Sequence, residues 1–287
     1  MSLPFRGGWP FRNPPNTQFT VNRNSPQAEG LVGWWPTVGQ AGVVLRDYSQ
    51  RNHNGAKSGS VTLAHDTTLG SVFYYEGSND YYSISDHDDL SANPELSVSA
   101  WVNQENAGAE RCVIGKAHPV DGQYEWALHL NSGYVRFSTW TLAGNTHLYA
   151  TSSGVELTAG RFHLCTACVN VDTPSLSVYV DGRLVATDTS TQSTPYANGT
   201  GNVRIGERGD GGQDYIGYIG PVRLANRMWS AAEVYALYDP ATRWELYQPV
   251  PRVFVVAKAP AAVEGQPMML RGTTVPHMAR QWHPRVA

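Results

Sequence analysis

GYIGPVRLANRMWSAAEVYALYDP, Gly217 to Pro240, decides the fold: it reads as an apolar strand, a turn and one short helix. Ser230 is an N-cap with Glu233 three residues on, so each side chain can satisfy an orphan backbone N–H at the helix start. Val234, Leu237 and Tyr238 form one apolar stripe, and Pro240, with no N–H to donate, stops the helix. Upstream the texture is different. SVFYYEG (Ser71–Gly77), LSVSAWVNQ (Leu96–Gln104), YEWALHL (Tyr124–Leu130), YVRFSTW (Tyr134–Trp140) and RFHLCTACVNV (Arg161–Val171) are short, β-branched and aromatic, and bounded by Gly, Asn, Asp or Pro. That spacing predicts an all-β, antiparallel two-sheet sandwich carrying a single C-terminal helix. In SLSVYVDGRLVATDT (Ser175–Thr189), Val178 and Val180 alternate with other residues before Asp181-Gly182, a hairpin turn signal.

Composition agrees: 28 Gly, 18 Pro and only 16% charged residues suit strands and turns better than helices. There is no apolar run near the 18 or so residues of a membrane span, and MSLPFRGGWPFRNPPNTQF (Met1–Phe19) lacks the apolar stretch of a signal peptide. Synthesis in a host cytoplasm without export is therefore expected, with neither membrane nor nucleic acid as partner. Cys165 and Cys168 form a CxxC inside a strand-like run, where residues three apart face opposite ways, so a shared metal or disulfide is not expected.

The net charge of −3 conceals an asymmetry: residues 1–30 carry +2, residues 241–287 carry +4 and the middle carries −9. Residues 1–29 and 241–287 are proline-punctuated and without a period of 2 or 3.6, and read as extended arms flanking a sandwich over 30–240. Basic arms suit an acidic body in a neighbouring subunit. Trp9, Phe11, Trp244, Tyr247 and Trp282 are the candidate assembly anchors, giving a homo-oligomer laced by its arms.

No catalytic residue is assigned. The chain has no E-x-D-x-E strand, no G-x-S-x-G, no H-E-x-x-H and no phosphate-binding loop, and Glu125 stands alone in its strand. Nine histidines are scattered singly. A glycan site on such a sandwich needs an aromatic platform with polar loop residues, for which Trp140, Tyr149, Asp210, Asp214 and Tyr215 are the candidates.

In order along the chain, GLVGWWP (Gly30–Pro36), LRDYSQRNHNGAKSGSVT (Leu45–Thr62), the Tyr74–Val102 segment, LSVYVDGRLV (Leu176–Val185) and the Gly217–Tyr238 strand and helix resemble the laminin-G-like, concanavalin A-like jelly-roll domains. The resemblance implies that the helix follows the last strand and closes one edge of the sandwich. Some members hold a structural calcium with acidic residues from these regions, which makes Asp47 and Asp80 the metal candidates. The family's Asp-Asp after the closing Ile is Gly220-Pro221 here, and its Ser-Gly-Asn-Gly loop is Ser49-Gln50-Arg51-Asn52, so the expectation is no cofactor, with calcium as the alternative. RWELYQPVPRVFVV (Arg243–Val256), with a short strand expected at Val253–Val256, resembles the endings of laminin-G-like proteins of tailed phages. These resemblances imply a non-enzymatic virion structural protein, a capsid-decoration or a tail or fibre component, meeting other virion proteins and, through exposed loops, cell-surface glycans. A carbohydrate-binding lectin module is the alternative, and a polysaccharide-cleaving enzyme the third reading.

Overall fold

The structure, a computed structural model, describes residues 14–15, 18–92, 94–106, 108–117, 124–140, 146–190, 199–209 and 211–250. Its strands are β1 (Phe19–Val21), β2 (Leu31–Trp35), β3 (Val44–Leu45), β4 (Gly55–Ser58), β5 (Thr62–Asp66), β6 (Gly70–Glu76), β7 (Tyr81–Ile84), β8 (Glu95–Gln104) and β9 (Arg111–Ala117). They continue with β10 (Tyr124–Asn131), β11 (Tyr134–Trp140), β12 (Thr146–Glu156), β13 (His163–Asn170), β14 (Ser175–Val180), β15 (Arg183–Asp188), β16 (Val203–Ile205), β17 (Ile216–Ala225) and β18 (Tyr247–Pro249). The helix α1 spans Ala231–Tyr238.

Two antiparallel sheets form the sandwich. Sheet I runs β12-β11-β10-β9-β16-β7-β4-β3, and sheet II runs β15-β14-β13-β8-β17-β6-β5, with β2 alongside the second half of β17. Between them lies one apolar core that includes Trp35, Phe73, Tyr82, Val98, Trp126, Phe137, Cys165, Val178 and Leu224. Period-two alternation sorts neighbours to opposite sides. Trp35 joins this core while Trp34 points the other way, and Cys165 lies inside while Cys168 lies outside sheet II. Burial raises both thiol pKa values, Cys168 to about 11, so neither supplies a thiolate at neutral pH.

The expected local signals are present. Ser230 and Glu233 make the reciprocal cap of α1, and Val234 and Leu237 are buried. Asp181 and Gly182 both have positive φ, as the β14–β15 turn requires. Gly182 is also pressed against α1, where a Cβ would stand 3.2 Å from the Tyr235 Cα. Pro221, in the middle of the ten-residue β17, sits at a register shift against β8, where its missing N–H breaks no ladder bond. No described helix is long and apolar enough to cross a membrane.

The expected boundaries at residues 30 and 240 fall inside the packed body. Phe19–Val21 pairs with Tyr247–Pro249, so parts of both presumed arms close on each other within one chain. They cover the outer face of sheet II, forming with α1 a second apolar cluster of Phe19, Val21, Trp34, Trp101, Trp229, Leu237, Trp244 and Tyr247. Arg223, on β17 beneath this cover, donates from Nη1 to Gln27 Oε1 (2.9 Å) and from Nη2 to the Arg243 carbonyl (2.9 Å). One buried guanidinium thus clasps both terminal segments to the sheet. Trp244 and Tyr247, two of the expected assembly anchors, are buried in this cluster within the chain. Trp9, Phe11, Trp282 and the strand expected at Val253–Val256 lie outside the described residues.

Candidate functional site

Alternation along sheet I turns Leu128, Leu130, Val135, Phe137, Leu148 and Ala150 inward. The residues between them face out. Strand pairing sets His129 opposite Arg136 and Ser138 opposite Tyr149, so three adjacent strands place these four side chains on one patch. The Arg136 guanidinium stands 5.3 Å from the centroid of the Tyr149 ring, a cation–π distance, and Tyr149 is 53% exposed. Glu110 Oε1 lies 3.5 Å from Arg136 Nη1 and 3.6 Å from His129 Nδ1. His129 Nε2 is 3.4 Å from Ser138 Oγ.

Burial pushes the His129 pKa down to about 3, helped by the Arg136 and Arg208 charges, so the ring is neutral at any ordinary pH. A neutral imidazole can donate or accept a hydrogen bond, but one so hard to protonate is a weak general base. Among the described residues, His129 Nδ1 and Arg136 Nε are buried without a hydrogen bond of good geometry.

The patch continues through Tyr124 and Trp140, whose rings are 5.2 Å apart, with the Arg208 guanidinium 4.8 Å from the Tyr124 centroid. On the other side of β9, Arg204 lies 4.4 Å from the centroid of Tyr81 and pairs with the buried Glu207. Three arginines thus lie at cation–π distance from tyrosines, Arg136 and Arg204 on strands of sheet I and Arg208 in the loop after β16. Planar cations beside aromatic rings, with Tyr149 exposed, suit a polyhydroxylated ligand, which stacks its C–H face and hydrogen-bonds its edge, while the buried His129 and Ser138 support the patch from beneath. They suit glycoside cleavage poorly. That chemistry needs two carboxyl groups across one cleft, whereas Glu207 is engaged by Arg204 and Glu125 is sealed in the body. Glu125 pairs with the buried Lys116 at 2.7 Å and accepts from the Gly199 N–H at 2.9 Å.

Of the glycan candidates, Trp140 and Tyr149 fall on this patch, on neighbouring strands. Asp214 lies beside it, its carbonyl accepting from Arg111 Nη1 (2.8 Å). Tyr215 is fully buried against Tyr75 at the core, so it cannot meet a sugar, and burial raises its phenol pKa well above the usual value. Asp210 lies outside the described residues. Arg136, His129, Arg208 and Tyr124 escape sequence reading because only strand register brings them together.

The metal candidates are loop staples. Asp47 Oδ1 accepts from the Trp34 and Ser49 N–H groups (3.0 and 2.8 Å), and Oδ2 from Ser49 Oγ and the His53 N–H (2.7 and 3.0 Å). Asp80 accepts from the Ser60 N–H at Oδ1 (2.5 Å) and the Glu76 N–H at Oδ2 (3.0 Å). Both carboxylates are spent on backbone donors of separate loops, which leaves them poorly placed to share a calcium ion.

A sequence profile of the concanavalin A-like lectin/glucanases superfamily matches residues 76–235. Among solved structures, the chain is similar to the binding domain of Paraclostridial Mosquitocidal Protein 1, with TM-score 0.60 and 15% identity over 74% of this chain and 52% of that one. It is also similar to a chain from a structure titled as showing that cell entry of botulinum neurotoxin type C depends on interaction with two ganglioside molecules (TM-score 0.57, 11% identity, 74% and 51% covered). A third is the binding domain of botulinum neurotoxin DC in complex with rat synaptotagmin II (TM-score 0.58, 12% identity, 74% and 52% covered). The chain spans about half the length of these solved chains, and at such identities the likeness is one of fold. No curated protein sequence matches it.

Proposed function

Because the chain belongs to the concanavalin A-like lectin/glucanases superfamily, we propose that it is a non-catalytic binding module that recognises a glycan through the outward face of sheet I. The observation that carries this reading is the Arg136–Tyr149 stack beside Tyr124 and Trp140, on the sheet whose outward face is polar and aromatic while the other sheet's face is covered. The similar toxin domains, one tied to interaction with two ganglioside molecules and one in complex with rat synaptotagmin II, support a recognition role for the architecture. A glycan array with the full chain tests it. Saturable binding to one glycan class is expected, weakened at least tenfold, on the order of 1.4 kcal/mol, by Tyr149→Ala or Trp140→Ala. Binding that survives both substitutions moves the site elsewhere, and no binding to any glycan ends the lectin reading.

The setting we propose for this module is a tailed-phage virion, as a decoration, tail or fibre component. The support is the resemblance of Arg243–Val256 to phage protein endings. The homo-oligomer expected of such a component would show as a defined multiple of 31.4 kDa by light scattering; a monomer at all concentrations would count against it.

A further inference from the structure

The 46–55 loop carries one histidine that its surroundings do not explain. The His53 backbone is fixed on both sides: its N–H donates to Asp47 Oδ2 (3.0 Å), and its carbonyl accepts from Trp35 Nε1 (2.8 Å). The residue is 8% exposed, and among the described residues its buried Nε2 has no hydrogen-bond partner. What Nε2 faces is the Asp88–Leu90 turn, with Asp89 Oδ2 at 3.8 Å, beyond hydrogen-bond reach. His87, just before that turn, stands with its ring centroid 4.8 Å from that of His53. Its Nδ1 is 3.8 Å from the same Asp89 oxygen and accepts from the Asp89 N–H at 3.1 Å. The turn is itself anchored, since Trp126 Nε1 donates to the Leu90 carbonyl (2.9 Å) and Leu90 is fully buried.

We propose that His53, His87 and Asp89 form a site for a divalent transition-metal ion of the zinc type, which ties the 46–55 loop to the Asp88–Leu90 turn. One ligand atom from each residue lies within 4.8 Å of the other two. Zinc bonds of roughly 2.0–2.2 Å to imidazole and carboxylate place two ligands on one ion no more than about 4 Å apart, so a small approach closes the set. His87, its side chain 55% exposed, supplies that movement by letting go of the Asp89 N–H, while His53 and the buried Leu90 stay fixed. Two imidazoles and one carboxylate with an open fourth position suit zinc, nickel or copper, and lack the oxygens that calcium requires. The cation now nearest is Arg51, whose Nη1 is 3.6 Å from Asp89 Oδ2 on a side chain 53% exposed. It can swing aside without leaving a buried charge. A plain His–Asp ion pair accounts for the cluster less well, because a buried, unpartnered imidazole nitrogen is aimed at a carboxylate it does not reach.

The test uses the full chain, stripped with chelator and titrated with zinc chloride by calorimetry and thermal denaturation. One equivalent should bind and raise Tm. His87→Ala and Asp89→Asn, both on the outer side of the cluster, should each weaken zinc at least about tenfold and remove the Tm rise. His65→Ala, an exposed histidine on β5, should change neither. No zinc-dependent shift in the unaltered chain overturns the proposal. So does a shift that persists in His87→Ala or Asp89→Asn, or one lost equally in His65→Ala.

Discussion

The two sheets obey the same alternation, yet their outward faces have opposite fates. On sheet II the outward residues include Trp101, Leu164, Cys168, Tyr179 and Ala225, and the terminal segments and α1 bury them. On sheet I they include His129, Arg136, Ser138, Tyr149 and Arg204, with Tyr149 open to solvent. An apolar face must be covered or it becomes a sticky surface, and here Phe19–Ala28, Trp244–Tyr247 and α1 form the cover. Residues 18–29 and 241–250, read from sequence as parts of arms, thus complete the fold, and the proposed binding face is on the other sheet. Two arginines state the contrast. Arg223 is buried and hydrogen-bonded to both terminal segments, whereas Arg136 lies stacked on an exposed tyrosine.

The sharpest way to break this comparison is to cut into each face. Trp244→Ala should destabilise the chain by about 3–5 kcal/mol in urea unfolding, the usual cost of emptying an aromatic site in a packed cluster. Tyr149→Ala should stay within about 0.5 kcal/mol. A Trp244→Ala variant as stable as its parent would mean that the cover is incidental.

Next comes the pair of arginines. Arg223→Met should cost about 2–3 kcal/mol, because Gln27 Oε1 and the Arg243 carbonyl lose their buried donor. Arg136→Met should weaken ligand binding and leave stability nearly unchanged. Equal stability losses at the two sites would erase the distinction between cover and binding face.

The smallest effect is in pH. Folded His129 has a pKa of about 3 against an ordinary value of 6.5, lowered by burial and by Arg136 and Arg208. As pH falls below 6.5 the unfolded chain takes up a proton that the folded chain refuses. Stability is therefore complete above pH 6.5 and declines toward pH 3, by up to about 1.4 kcal/mol per pH unit from this residue. His53, lowered chiefly by burial, adds to the same decline. Denaturation midpoints between pH 7 and 5 should show this slope, reduced in His129→Gln; an unchanged slope would place His129 in a wetter setting than its burial indicates.

Much of the fold was legible because its signals are local. The α1 cap, the Asp181-Gly182 turn and the opposite facings of Cys165 and Cys168 each depend on residues within a few positions of one another. The β-rich segmentation and the ordered motifs from Gly30 to Tyr238 pointed to the family for the same reason. Trp140 and Tyr149 could be named from their residue type, but Tyr215, chosen on the same grounds, faces the core. Non-local pairing decided the rest. Register set Arg136 beside His129 and Tyr149, closure of Phe19–Val21 on Tyr247–Pro249 turned parts of the presumed arms into a cover, and packing brought His53 to Asp89. A capping hydrogen bond reaches three or four residues and is written into that stretch of sequence. A strand's partner is chosen by burying both faces of a sheet at once, and that choice exists only in the folded chain.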